Sequence, residues 1–185
     1  MTEYIYINPT EKKARLYCTP GHVTKALLKR EYFPGSIWEP AAGRGDIVKT
    51  LRDCNYPDIH ASDLNDWGFK PCLIDNFLES NHESDCLVTN PPFDLKAEFL
   101  EHAKQIIRHK IALLLPVEFE YTMRFIQKHE YDETFPWKAI YAFPQSIRWL
   151  NLKDAWGKVH VAWYVFERGY LGDVHREKIR FQRNK

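Results

Sequence analysis

The sequence predicts a single α/β domain built on a mostly parallel, seven-stranded sheet flanked by helices. Three observations predict it. Short segments of strand character alternate with helical segments along most of the 185 residues, the pattern of βαβ units and a parallel sheet. One segment, residues 111–115, is apolar at every position, as a strand buried on both faces requires. Polar residues, Glu39, Asp63, Asp75 and Asn90, stand at the carboxyl ends of four successive strands, where open α/β sheets bind their ligands. Packing alone does not put carboxylates there.

Taken in order, residues 1–16 carry little periodic signal and read as an irregular lead-in. Thr19 and Pro20 open a helix to about Arg30, with Val23, Ala26, Leu27 and Leu28 as its apolar face. Phe33-Pro34-Gly35 ends it. A short strand at 36–39 runs into the small-residue turn Pro40-Ala41-Ala42-Gly43-Arg44-Gly45, and a helix over 46–53 follows with Ile47, Val48 and Leu51 inward. Strands at 59–62, 71–74 and 85–89 end on Asp63, Asp75 and Asn90. A long amphipathic helix over 95–108 leads to the apolar strand at 111–115, and another helix is expected over 119–129. Two strands, 138–143 and 159–166, close the sheet. The domain proper spans 17–170, and residues 171–185 are expected as a basic tail.

Composition narrows the function classes. With 44% apolar and 28% charged residues the chain reads as soluble and globular. A net charge of +1 gives no broad basic field for a polyanion, so any nucleic-acid contact must come from a local patch. The four cysteines are widely spaced and the histidines unclustered, so no metal site is expected. The longest apolar run, residues 111–117, is too short to span a bilayer. No secretory leader is evident, and a reducing cytoplasm is the expected location.

The turn after the first strand supplies glycines at Gly43 and Gly45, which let backbone turn tightly and approach a ligand without a Cβ in the way. A dinucleotide fingerprint would require a third glycine, and Asp46-Ile47-Val48 follows instead. Glu39 would repel a pyrophosphate but suits a cationic amino-acid group. Asp63, about twenty residues on, can accept hydrogen bonds from the two hydroxyls of a ribose. Asn90-Pro91-Pro92-Phe93 is the most specific signal. Consecutive prolines fix φ and exclude helix, giving a stiff extended loop. Such a loop can hold the Asn90 amide oxygen and the Pro91 carbonyl as two fixed acceptors for an NH2 group, with Phe93 as a face for the ring that carries it.

Together these motifs resemble the S-adenosylmethionine (SAM)-dependent amino-methyltransferases, specifically the adenine-N6 branch and its short stand-alone members often encoded by phages. The resemblance covers about residues 17–166. It implies a Rossmann-like fold and SAM as cofactor, bound by Tyr17, Thr19, Pro20, Glu39, Pro40, Ala41, Gly43, Gly45, Asp63, Leu64, Asp75 and Phe77. It also implies catalysis by Asn90, Pro91, Pro92 and Phe93, with adenine N6 in DNA as the favoured acceptor. The chain has no room for the target-recognition domain of a restriction-linked enzyme, a departure that bears on sequence-specific duplex recognition.

The expected substrate contacts are Phe93 and a loop at 145–158 in which Arg148, Trp149, Lys153, Trp156 and Lys158 interleave charge with aromatic faces, as phosphate contact with base stacking requires. A solvated loop with its tryptophans tucked on the core is the plain alternative. RNA bases, or a protein glutamine amide, offer the same planar NH2. A non-catalytic SAM-binding module acting with a partner is the reading from a different class. Either a monomer or a homodimer is compatible with the chain.

Overall fold

A computed structural model describes residues 16–122, 132–147, 149 and 160–179. Its strands are β1 (Ile37–Glu39), β2 (Ile59–Asp63), β3 (Leu73–Ile74), β4 (Ser84–Thr89), β5 (Ile107–Pro116), β6 (Trp137–Ala142), β7 (Val161–Glu167) and β8 (His175–Lys178). They form one sheet in the order β3-β2-β1-β4-β5-β7-β6-β8. The first five are parallel, β7 runs antiparallel between β5 and β6, and β8 lies parallel to β6. The helices are α1 (Gly21–Leu28), α2 (Asp46–Asp53) and α3 (Lys96–Ile106).

The two faces of β5 show how the layers close. Ala112 and Leu114 join a core with Val23, Leu27, Ile47 and Leu51 of α1 and α2. Ile111, Leu113 and Leu115, pointing the other way, join Phe99, Leu100 and Ala103 of α3. The period-2 alternation of a strand therefore sends one apolar run into two cores, and helices cover both faces of the sheet.

Four expectations are revised. β5 begins at Ile107, directly on the end of α3 and four residues before the apolar run. Its polar start is held by partners: Arg108 pairs with Glu83 and Asp85, and Lys110 with Glu31. β3 shortens to two exposed residues, since Pro71 has no N–H to give a ladder. Residues 117–121 form a 3-10 turn rather than a helix start, and the rest of the helix expected over 119–129 lies outside the described residues. Finally, part of the expected tail is an eighth strand. Exposed and charged, β8 fits an edge position, and Arg30, just past the end of α1, pairs with its Glu177.

At the amino-terminal end of β5 sits a buried ion cluster. Glu31 accepts from Lys110 Nζ at 2.8 Å, Lys138 Nζ at 2.9 Å and the Tyr141 hydroxyl at 2.8 Å. Glu167 accepts from Lys138 at 2.6 Å and lies 3.0 Å from Lys110. Burial pushes the Glu31 carboxyl up, but these donors outweigh it and hold the group below its ordinary value. Among the described residues no helix is long and apolar enough to cross a membrane.

Candidate functional site

The carboxyl ends of β1, β2 and β4 open into a cleft of about 870 Å³, within the size range of small-molecule sites. Nine of the expected cofactor residues line it: Tyr17 and Thr19, then Pro40, Ala41 and Gly43, then Asp63 and Leu64, then Asp75 and Phe77. Asn90, Pro91, Pro92 and Phe93 line it too. The structure thus brings both constellations to one place although they lie far apart in the chain.

Gly43 takes φ +54° and aims its N–H at Asp63 Oδ2, 2.9 Å away. A side chain here would be strained and would strike Leu16. Gly45, expected against the cofactor, instead packs on the Phe69 ring, which a Cβ would meet at 2.4 Å. It caps α2 from φ +77° and acts on the turn's shape. Pro20 likewise caps α1 and is buried rather than lining the cleft.

Asp63 is busier than expected. Besides Gly43 it accepts from Asn65 N–H at 2.9 Å and from the Trp67 indole at 3.0 Å. Burial still raises its pKa, with the bonds from Asn65, Gly43 and Trp67 working against that. Among the described residues Oδ2 has a single partner and keeps room for one more donor. Trp67 also lines the cleft. It escaped the sequence reading, and the only signal was an aromatic four residues past a strand-end carboxylate.

Glu39 lies fully buried beneath the cleft lining. Its Oε1 accepts from Ala41 N–H at 3.0 Å and from the Thr89 hydroxyl at 2.5 Å. Oε2 has no partner among the described residues. Burial, with the Asp63 charge adding to it, pushes the carboxyl up to about 8 against the bonds from Thr89 and Ala41. Cys18, also in the lining, is held as a thiol, since burial chiefly and Asp46 next push it to about 11.

Asn90 carries the decisive geometry. Its Nδ2 donates to the Tyr17 carbonyl at 3.3 Å and faces Thr19 Oγ1 at 3.1 Å. A carbonyl can only accept, so this contact fixes which end of the amide is nitrogen. The other end, Oδ1, is buried and has no partner among the described residues. Pro91 is buried, Pro92 exposed and Phe93 half-buried. The loop closes with Leu95 N–H on the Pro92 carbonyl at 2.9 Å and Lys96 Nζ on the Phe93 carbonyl at 2.7 Å.

Phe93 stacks on Tyr17, centroids 5.7 Å apart and planes 16° from parallel. Tyr17 in turn meets the edge of Trp149 at 5.4 Å. Trp149, expected as a face for a base, is therefore buried in the core against Tyr17. Arg148, Lys153, Trp156 and Lys158 lie outside the described residues. Phe77 is likewise a core ring at the cleft wall, packed on Trp38 and Phe99. Among the described residues no group of three metal-ligating side chains comes together.

No family model matches the sequence, and no curated protein matches it. Solved structures match the fold. A candidate RNA methyltransferase from Pyrococcus horikoshii is 20% identical with a TM-score of 0.67, over 82% of this chain and 87% of that one. The M protein of the type I restriction enzyme EcoKI is 16% identical with a TM-score of 0.61, over 84% of this chain and 44% of that one. Magnesium protoporphyrin IX methyltransferase from Synechocystis, solved with bound SAM, is 12% identical with a TM-score of 0.57, over 80% of each chain. This is the Rossmann-like fold of the SAM-dependent methyltransferases.

Within that fold β8 is an addition to the seven strands expected, and it lies at the sheet edge far from the cleft in strand order. The residues that close the cleft, Tyr17 to Thr19 on one side and Trp67 on another, come from loops rather than from the sheet.

Proposed function

We propose that the chain is a SAM-dependent methyltransferase acting on an exocyclic amine, with adenine N6 in DNA the favoured acceptor. The observation that carries this is Asn90: a buried amide oxygen without a partner among the described residues, fixed in orientation, at the head of a stiff Pro-Pro loop. A buried acceptor left unpaired costs roughly 1–3 kcal/mol, and such groups persist where a ligand completes them.

The cleft suits the cofactor. Gly43 opens its wall, Asp63 Oδ2 can take one ribose hydroxyl, and the unpaired Oε2 of Glu39 offers a partner for an ammonium group. Bound there, SAM supplies a methyl group on a positively charged sulfur; transfer forms a C–N bond as the C–S bond breaks, and the methylated amine then sheds one proton. Asn90 Oδ1 and the Pro91 carbonyl accept the two amine hydrogens, which localises a lone pair otherwise spread into the ring. Acceptors whose orientation is fixed in advance need not turn as positive charge builds on the nitrogen. Phe93 holds the ring in plane. Oδ1 is covered in the free protein, so the atoms over it must give way as the acceptor enters, and bonds of this kind tighten in the complex.

One observation favours a second acceptor. The charged residues lining the cleft are Asp46, Asp63, Asp75 and Asp94 against Arg44. Such an acidic lining repels phosphates, so a glutamine side chain of a protein enters more easily than a nucleotide. A base must bring its backbone to charges elsewhere, for which Arg148, Lys153 and Lys158 are the proposed contacts.

Transfer of tritiated methyl from SAM to duplex DNA, single-stranded DNA, RNA and total protein tests the reading. N6-methyladenine recovered from DNA supports the favoured acceptor. Label on protein alone replaces it with the second, and no label on any acceptor overturns the activity.

A further inference from the structure

Asn90 lines the cleft with its amide nitrogen held on the segment before α1 and its oxygen buried and left without a partner among the described residues. An asparagine amide has two ends of nearly equal shape and opposite polarity. Rotated by half a turn, it would aim two N–H donors at a site that must accept hydrogen bonds, and an amine would then meet a donor instead of an acceptor. The Tyr17 carbonyl, 3.3 Å from Nδ2, works against that rotation because it can only accept; the Thr19 hydroxyl, 3.1 Å from Nδ2, can donate or accept, so it fixes where the amide sits rather than which way round it lies, and both groups lie on the segment that precedes α1. The first contact is long for a hydrogen bond and the second lies towards the long end of the usual range. Thr19 is itself 3% exposed, so water does not stand in for it.

We propose that Thr19 is a positioning residue, whose hydroxyl anchors the Asn90 carboxamide in place, in the orientation that the Tyr17 carbonyl sets, for the acceptor amine to meet. This rests on the methyl-transfer reading given above. The same short segment backs the loop a second time, because the Tyr17 ring stacks on Phe93. The segment before α1 therefore fixes both the polar and the apolar half of the Asn90-Pro91-Pro92-Phe93 loop, across 71 to 76 positions of sequence. With the hydroxyl gone, the long contact to Tyr17 is the one bond to Nδ2 left among the described residues, and the amide shifts from its place in the loop.

Thr19→Val removes the oxygen and keeps the shape, while Thr19→Ser restores it. At saturating SAM the Val variant loses about 10- to 100-fold in kcat, the scale of a misplaced reacting group, while calorimetry finds the SAM Kd little changed, and the Ser variant recovers the rate. A fall in kcat with binding retained marks an interaction needed in the transition state. Unaltered kcat in Thr19→Val, or a weakened SAM Kd with kcat intact, overturns the anchor and leaves Thr19 as a cofactor contact. Side-chain amide NMR of the wild-type free protein gives a readout independent of turnover and of any variant's folding. The anchor predicts one Asn90 NH2 pair, protected from exchange; a freely rotating, unprotected amide contradicts it. Should wild-type protein methylate no amine at all, the methyl-transfer reading fails, and the NMR result still decides whether the amide is anchored.

Discussion

The two ends of the parallel strands treat buried polar groups in opposite ways. At the amino-terminal end of β5, Glu31, Lys110, Lys138 and Tyr141 are joined by bonds of 2.8 to 2.9 Å, and Glu167 completes the set. At the carboxyl end of β1 and β4, Glu39 and Asn90 each bury an oxygen that nothing among the described residues meets. Both ends bury polar groups, but only one satisfies them. Charge at the stabilising end is fully paired, whereas the polar groups proposed to meet a ligand are left incomplete among the described residues.

The contrast can be broken at either end, and the largest effect lies at the satisfied one. Glu31→Leu leaves Lys110 buried without its closest carboxylate, a change that costs about 3–5 kcal/mol and is read as a lower denaturation midpoint. A shift in midpoint under one-third of that size would show the cluster to be hydrated rather than buried. At the cleft end, Gly45→Ala forces a side chain into φ +77° and onto the Phe69 ring. The left-handed conformation alone costs about 1–2 kcal/mol, and the displaced turn should weaken SAM binding as well as lower Tm.

Acidity separates the ends by sign. Glu31 and Glu167 have folded pKa values below the unfolded one. Their stabilisation is present above the ordinary glutamate value of about 4.3 and is lost as pH falls below it, so the acid unfolding of Glu31→Leu should be less steep in pH than that of the wild type. Glu39 is raised to about 8, and it favours the folded state at low pH and loses that contribution as pH climbs toward 8. A cation that meets Glu39 needs the ionised form. SAM affinity should therefore rise from pH 6 to about 8, with about one proton released per cofactor bound at neutral pH, measured by calorimetry in buffers of different ionisation heat. Glu39→Gln should abolish the release; an unchanged proton count would place the ammonium elsewhere. Least of all, Lys70→Ala breaks only the exposed pair with Asp66, and no change in Tm is expected.

The same contrast explains what the sequence could and could not reveal. The central strands were readable because burial on both faces writes an unbroken apolar run, as at residues 111–115. β8 was not, because an edge strand of His175, Arg176, Glu177 and Lys178 has no apolar pattern and is recruited by pairing with β6 and by Arg30. At the cleft, strand-end residues announce themselves by breaking an apolar pattern with a carboxylate or amide, so Glu39, Asp63, Asp75 and Asn90 could be read locally. Their partners could not. The Thr89 bond to Glu39 spans 50 positions and the Tyr17 bond to Asn90 spans 73, and no local signal marks either. Trp149 misled for the same reason: an aromatic among basic residues looks like a base-stacking face, and only the fold shows Tyr17 covering it.

The central claim is that the unpaired oxygen of Asn90 is what an acceptor amine binds. Single-turnover methyl transfer by Asn90→Ala, with SAM binding measured on the same protein, tests it most directly. The account predicts a loss of roughly 10²–10³-fold or more in rate, the cost of removing one preorganised group from a charge-stabilising site, with SAM bound as in the wild type. Transfer at the wild-type rate by Asn90→Ala would contradict it.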